Sequence, residues 1–172
     1  MLATPHLLTG AVVGHTFRRP WLAWPVALLS HFLLDFVPHL DSAGLFPASS
    51  GHVTSAAAAV AVVDTVAGIA LVVWLSRGHP QRGTVLGAAC FALLPDALFN
   101  VPPWGPWLAT WPGTQWLQAW HQASSQGVTA AEWPLGLGTQ VAVTGLAVGG
   151  LASSRRTWPA AAARMAAPGR QS

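Results

Sequence analysis

Charged side chains are scarce in this sequence of 172 residues: Asp, Glu, Lys and Arg make up only 8%, and lysine is absent altogether. Soluble domains average about 25% charged residues, so the composition favours a protein whose solvent is lipid. Eight arginines against five acids give a pI near 11.2. These arginines stand in short clusters between apolar runs rather than along one basic face, which argues against a nucleic-acid partner.

Cysteine is equally scarce, because Cys90 is the only one. A single cysteine excludes an internal disulfide and a metal cluster built from cysteines. What the chain does have is apolar surface: 52% of its residues are hydrophobic, and the mean hydropathy is +0.46. The start of the chain has no basic residue before its apolar stretch and no small-residue cleavage site after it. We therefore expect it to be retained rather than removed as a signal peptide.

Long apolar runs predict the fold class, which is all-α: an integral membrane bundle of about five segments plus a short interfacial helix. Four runs approach the length of a membrane span, and a fifth, residues 4–17, is short for one. The four are residues 21–37, 55–76, 84–101 and 134–153. Residues 114–124 predict the interfacial helix, since two tryptophans and a leucine share one face there. We expect 1–154 to form a single membrane-embedded domain and 155–172 a flexible, Arg-containing cytoplasmic tail.

The arginine clusters predict the orientation of these segments. They follow the first, third and last of the five, at 18–19, 77–82 and 155–170. If all three clusters are cytoplasmic, as the positive-inside rule favours, the five segments alternate with the N-terminus outside and the C-terminus inside. The loops 38–54 and 102–133 then lie outside, and the tryptophans of the second loop reach the outer headgroup level. Spacings such as Gly10-xxx-Gly14 and Gly145-xxx-Gly149 predict close helix packing.

Three aspartates interrupt the apolar runs: Asp35, Asp64 and Asp96. An ionisable residue at bilayer depth costs about 2.5–3.5 kcal/mol, and no Lys or Arg in the same runs offsets that cost. His31 and Asp35 are four residues apart and so share a helical face, a spacing at which two ligands grip one metal ion. Imidazole and carboxylate together suit zinc among the divalent metals, although manganese or iron remains open.

With the predicted orientation, most of these polar residues fall toward the outer side of the membrane. The candidates for a metal site there are His6, His31, Asp35, His39, Asp96 and His121, with Asp41 a weaker one and Asp64 nearer mid-membrane. A purely structural polar network and a haem site are alternatives, but haem ligation leaves the three acids unexplained. Ion or metal transport is another, and His15 and His79 near the inner face support it, whereas the one-sided cluster opposes it.

Three short motifs resemble a known family. They are TPHLLTGAVVG at 4–14, SHFLLDFVPHLD at 30–41 and LLPDALFN at 93–100. They resemble the YdjM-like group of small bacterial membrane-associated metal-dependent hydrolases, which is itself distantly similar to zinc-dependent phospholipase C. The resemblance implies that His6, His31, Asp35, Asp96 and His121 are metal ligands. Members of the group often carry two histidines in an H-R-G-x-T-H-S run, where this chain has WHQASS with one.

The function that these observations predict is metal-assisted hydrolysis of an ester or phosphoester, at the outer face of a bacterial cytoplasmic (inner) membrane. A metal ion makes hydroxide available at neutral pH, and Asp64 or Asp96 would act as general base. The outer tryptophans would admit a membrane lipid headgroup or a lipid-like substrate. The alternative is a metal- or ion-handling transport protein, which needs a path to both faces.

Overall fold

The computed structural model describes residues 1–46, 53–101 and 104–155, and every regular element within these ranges is helical. The prediction of an all-α fold is therefore confirmed for the described part of the chain. The helices are α1 (Ala3–Phe17), α2 (Pro20–Asp35), α3 (Ser42–Leu45), α4 (Ser55–Leu75), α5 (Arg82–Asn100), α6 (Trp104–Leu108), α7 (Pro112–Ser124) and α8 (Trp133–Ser154), with a 3-10 turn at Ala130–Glu132. The predicted tail beyond residue 155 lies outside the described residues.

Three of these helices, α4, α5 and α8, are long and apolar enough to cross a membrane. They match three of the predicted segments to within two residues at each end. The other two predicted segments are α1 and α2, which are helical as expected but only 15 and 16 residues long. At 1.5 Å per residue each covers less than the ~30 Å of a hydrocarbon core. The one-turn helices α3 and α6 were not predicted.

Helix α1 packs closely against α5 because glycine faces it. A Cβ atom at Gly10 would lie 2.6 Å from the carbonyl oxygen of Ala88, and one at Gly14 would lie 2.7 Å from Cα of Val85. Small residues allow backbones to approach in this way, so the predicted packing role of the first glycine pair is confirmed. A Cβ at Gly145 or at Gly149 would meet nothing within 4 Å, so the second pair has no such role among the described residues.

The described core is small and surrounds α1. Its centre consists of apolar residues from α1, α4, α5 and α8 with at most a few per cent of their surface exposed, among them Leu8, Leu75, Val85 and Leu151. The outward face of α4 is apolar as well, and Val62, Val63, Val66 and Ile69 are each at least 47% exposed. Large contiguous apolar surface of this kind marks an interaction with lipid or with another protein rather than with water.

Helix α1 begins beside the middle of α4. The backbone N–H of Thr4 donates to Oδ2 of Asp64 at 2.9 Å, and the Thr4 hydroxyl donates to the Asp64 carbonyl oxygen at 2.9 Å. The residue before α1, Leu2, has no side chain that caps the helix. The Asp64 carboxylate instead satisfies a free N–H of the first turn and complements the positive end of the helix dipole. Asp64 is nine residues after the start of α4 at Ser55. The first turn of α1 therefore lies roughly 14 Å from the start of α4, measured along the axis of α4.

A short ladder of backbone hydrogen bonds ties the end of α2 to the segment after α7. The N–H of Gln126 donates to the carbonyl of Asp35 at 2.8 Å, the N–H of His39 to Gln126 at 3.2 Å, and the N–H of Val128 to His39 at 2.9 Å. His39 and Gly127 form an isolated parallel bridge within it. The ladder holds the C-terminal end of α7 over the C-terminal end of α2, where the polar side chains meet.

Candidate metal centre

His31 is oriented by the backbone of a neighbouring helix. Its Nδ1 lies 2.8 Å from the carbonyl oxygen of Ala92 in α5, and its side chain is completely buried. A carbonyl oxygen only accepts hydrogen bonds, so Nδ1 carries the proton and Nε2 keeps a free lone pair. This arrangement, in which one ring nitrogen donates to a carbonyl and the other faces inward, is typical of histidines that ligate metal.

Three other side chains bring donor atoms to that lone pair. Nε2 of His31 lies 3.0 Å from Nε2 of His121, 3.2 Å from Oδ2 of Asp35 and 4.0 Å from Oδ1 of Asp96. Nε2 of His121 lies 3.4 and 3.5 Å from the same two carboxylate oxygens. In a tetrahedral zinc site with ligands at 2.0–2.2 Å, neighbouring donor atoms are about 3.3–3.6 Å apart. The distances among His31, Asp35 and His121 are close to this spacing, and Asp96 lies further from His31.

His6 completes the cluster from α1. Its ring stacks on His31 with 4.1 Å between centroids, and its Nε2 lies 3.3 Å from Oδ1 of Asp35. The side chain is fully buried, yet neither ring nitrogen hydrogen-bonds to any residue in the described ranges. A buried polar atom left without a partner costs about 1–3 kcal/mol. Buried nitrogens that lack hydrogen-bond partners and lie beside two carboxylates are expected where a group of residues surrounds a cation.

Two overlapping triads of donor atoms are close enough to hold an ion. One consists of His31, Asp35 and His121, and the other of His6, His31 and Asp96. Both triads use His31, and Ala92 leaves His31 only one free nitrogen. A single lone pair binds a single ion, so the two triads are alternatives for one position rather than two separate sites.

Asp96 differs from the other members because its side chain is partly exposed. Its side chain is 23% exposed, whereas those of His31 and Asp35 are at most 2% exposed. The side-chain amide of Asn100, one turn later in α5, donates to Oδ1 of Asp96 at 3.0 Å. Structural zinc sites use four protein ligands, and catalytic ones use three and leave a position for water. A buried triad with a fourth, half-open carboxylate has the composition of the catalytic kind.

His39 lies outside the cluster, contrary to its prediction as a candidate ligand. Its Nδ1 donates to the carbonyl oxygen of Val37 at 2.8 Å, and its Nε2 lies 3.4 Å from the hydroxyl of Ser125. Burial lowers the pKa of His39, which keeps the ring neutral. Because α2 ends at Asp35, the side chain of residue 39 does not continue the helical face of His31 and Asp35. The contacts of the His39 side chain with Val37 and Ser125 instead stabilise the backbone ladder between the end of α2 and the segment after α7.

Two further aspartates, Asp41 and Asp64, lie outside the cluster and have structural contacts. Asp64, predicted as a possible general base, bonds to Thr4 at the start of α1 and belongs to neither donor triad. Asp41 accepts a hydrogen bond from the backbone N–H of Gly44 and caps α3. Both carboxylates therefore satisfy backbone N–H groups at helix starts, a common use of aspartate. The structure places five of the six predicted metal ligands together, and His39 elsewhere.

A second pair of histidines lies at the opposite end of α1. Nδ1 of His15 is 2.8 Å from Nε2 of His79, and the backbone N–H of Gln81 donates to Nδ1 of His79 at 3.0 Å. An N–H group only donates, so Nε2 of His79 carries the proton and donates to His15. Burial lowers the pKa of His79 to about 4, with smaller effects from His15 and Arg18. The pair is a neutral hydrogen bond.

No model of a known protein family, no curated protein and no solved structure matches the chain. The chemistry of the site is therefore inferred from its own side chains. Two contacts that define the site could not be predicted from the sequence. One is the hydrogen bond between His31 and the Ala92 carbonyl, and the other is the hydrogen bond from the backbone N–H of Gln126 to the Asp35 carbonyl. Both involve backbone groups, which every residue has, so no pattern of residue types marks them.

Proposed function

We propose that the protein is a membrane-embedded hydrolase that depends on a divalent metal ion, with zinc the ion that suits its donors. His31, Asp35 and His121 would hold the ion. The observation that carries this proposal is the spacing of 3.0–3.4 Å among their three donor atoms, combined with the free lone pair on His31. The resemblance of the sequence motifs to the YdjM-like hydrolases points to the same chemistry.

The bilayer position that we propose is that of a multi-pass protein of a bacterial cytoplasmic membrane. Helices α4, α5 and α8 would cross it, and α1 and α2 would complete five segments inside the bundle. The arginines support one cytoplasmic face, because they follow α1, α4 and α8 and precede α2 and α5: Arg18, Arg19, Arg77, Arg82 and Arg155. In a Cys90→Ser background, a cysteine at position 110 should react with an impermeant reagent from outside, and a cysteine at position 160 should not. The opposite labelling would invert this orientation.

In the proposed reaction the protein side chains position water and carry protons. A bound divalent ion supplies Lewis acidity and lowers the pKa of water to about 7. Asp96, the accessible carboxylate, takes the proton from the attacking water, and Asn100 fixes the orientation of that carboxylate. His6 lies behind Asp35, with its Nε2 3.3 Å from Oδ1.

Two variants test the two proposed roles separately: His31 as a metal ligand and Asp96 as the general base. The purified protein should contain close to one zinc per chain and should hydrolyse p-nitrophenyl esters. His31→Ala should lose the metal. Asp96→Asn should keep the metal, yet its kcat should fall by about 10²–10⁴-fold. His79→Gln, a matched change at the other end of α1, should keep both. Full metal content in His31→Ala would refute the metal centre, and full activity in Asp96→Asn would refute the role of the base.

Ion transport is the rival function and would need an ion site at the inner end of the bundle. The His15–His79 pair is the candidate there, but the Gln81 amide leaves the facing nitrogen of His79 protonated. A protonated nitrogen has no lone pair for an ion. Zinc uptake by proteoliposomes that is abolished in His79→Gln would favour transport over hydrolysis.

A further inference from the structure

Aromatic rings connect the surface of α7 with the cluster. Trp116 and Trp120 are 69% and 43% exposed and border an open cavity of about 360 Å³. The ring of Trp120 lies 4.4 Å from that of Phe32, measured between centroids. Phe32 is buried, and its ring contacts His31 at 5.3 Å and His121 at 5.9 Å. A series of ring contacts therefore connects the outward face of α7 with His31 and His121.

Helix α7 has no charged residue over its 13 positions, PGTQWLQAWHQAS. Its side toward the bundle carries His121 and Ser124, which are buried, and its outward side carries the two tryptophans four residues apart. Residues at i and i+4 lie on one helical face. An uncharged helix with indole rings on its outer face suits contact with an apolar chain at a lipid boundary.

The cluster offers a doubly negative substrate few cationic groups. Two carboxylates, Asp35 and Asp96, would balance the charge of one divalent ion, and the Met1 ammonium is already paired with Oδ1 of Asp35 at 3.1 Å. All the arginines in the described ranges lie at the other end of the helices, at 18, 19, 77, 82 and 155. Proteins bind phosphate groups mainly with arginine, with lysine or with helix N-termini. At this end of the bundle, no arginine or lysine side chain in the described ranges is available for that purpose.

On the basis of the proposed hydrolase function, we infer that the substrate is an uncharged carboxylic ester with an apolar chain that resides in the membrane. The chain lies against Trp116 and Trp120, and the ester group passes Phe32 to reach Asp96 and His121. In the reaction the water oxygen forms a bond to the acyl carbon, and the bond from that carbon to the alcohol oxygen breaks. The proton that Asp96 takes from water passes to the departing alcohol, so the products are a carboxylic acid and an alcohol.

Substrate preference tests the inference with the full chain in bicelles. p-Nitrophenyl octanoate should be hydrolysed with a kcat/KM at least tenfold higher than p-nitrophenyl acetate, since burial of each methylene is favourable. p-Nitrophenyl phosphate should not be a substrate. Trp120→Ala should remove the chain-length preference, so that the ratio of kcat/KM for the octanoate to that for the acetate falls toward one. Trp107→Ala, an equivalent change at an exposed tryptophan of α6 outside the ring path, should leave the preference intact.

Fluorescence quenching gives a second readout that needs neither metal nor turnover. Methyl 9,10-dibromostearate is an uncharged ester whose bromine atoms quench nearby indoles. It should quench a saturable part of the emission from wild type and from His31→Ala, and that part should vanish when Trp116 and Trp120 are both replaced by alanine. Quenching unchanged by that double substitution, or faster hydrolysis of the phosphate than of the octanoate, would overturn the substrate inference and leave the hydrolase intact. Saturable quenching without hydrolysis of any substrate would support the chain site and reject the hydrolase.

Discussion

Two histidine pairs, His31–His121 and His15–His79, lie near opposite ends of α1; they look alike and differ in what they can bind. The ring nitrogens of His31 and His121 approach to 3.0 Å, and those of His15 and His79 to 2.8 Å. The difference lies in the backbone group that hydrogen-bonds to Nδ1 of His31 and of His79, the nitrogen that faces away from the other histidine of the pair. In His31 the Ala92 carbonyl keeps the proton on Nδ1, the nitrogen that faces away from His121. In His79 the Gln81 N–H occupies Nδ1, so the proton is on Nε2, the nitrogen that faces His15. A single backbone contact thus decides which pair offers a lone pair to an ion.

The largest expected difference between the pairs is in the response of protein stability to zinc. An ion that binds only the folded state stabilises it by about 4 kcal/mol at a free concentration 1,000 times its Kd. We expect that shift in the wild type and in His15→Gln, and no shift in His121→Gln. Thermal unfolding in detergent at fixed free zinc measures it. Loss of the shift in His15→Gln would mean that the inner pair also holds an ion.

A comparison of Asp64 with Asp35 is expected to show a smaller difference. Both aspartates belong to apolar helices, Asp64 in the middle of α4 and Asp35 at the end of α2. Asp64→Asn weakens the cap on α1 and should lower the free energy of unfolding by about 1 kcal/mol. Zinc content should stay the same. Asp35→Asn should lose most of the zinc, since Asp35 contacts three histidines. Chemical denaturation and metal analysis of both variants measure these effects. Loss of zinc in Asp64→Asn would show that Asp64 belongs to the metal site.

The smallest expected effect is the dependence of stability on pH at the inner pair. The pKa of His79 is lowered from 6.5 to about 4 in the folded protein, chiefly by burial. Between these values the unfolded chain binds more protons, so the contribution of His79 is complete above pH 6.5 and declines as the pH falls toward 4. In zinc-free protein, lowering the pH from 7.5 to 5.5 should reduce Tm by about 2–4 °C more in wild type than in His79→Gln. Equal reductions would contradict this assignment.

Patterns that depend on helical periodicity were the ones that sequence could predict. Apolar runs located five of the helices, and the His31-to-Asp35 spacing identified a helical face whose donor atoms could hold an ion. The sequence was less informative where the chain leaves the helix or where depth in the bundle matters. His39 was predicted on a helical face that ends with α2, and Asp64 was predicted as a possible base, whereas its carboxylate bonds to Thr4 at the start of α1. Helix ends and vertical offsets between helices depend on tertiary contacts, which periodicity does not specify.

Outside the helices the sequence was less informative for a related reason. The tryptophan-rich loop predicted one interfacial helix, and the structure has α6 as well as α7 there. The ladder between residues 35–39 and 126–128 was not predicted, because a single bridge has neither the length nor the alternation of a strand. This ladder nevertheless positions the helix that supplies His121.

The contact between His31 and His121 joins residues that are 90 positions apart in the chain. Closing so long a loop is slow, and proteins dominated by non-local contacts fold late and slowly. His6, His31 and Asp35 leave the ribosome first, and they stay without their last partner until α7 has been made. Their polar groups lack that partner for the whole interval in which α4 and α5 are synthesised. Uptake of a metal ion would therefore report the completion of folding, and a nascent chain that stops before α7 would remain a substrate for membrane quality control.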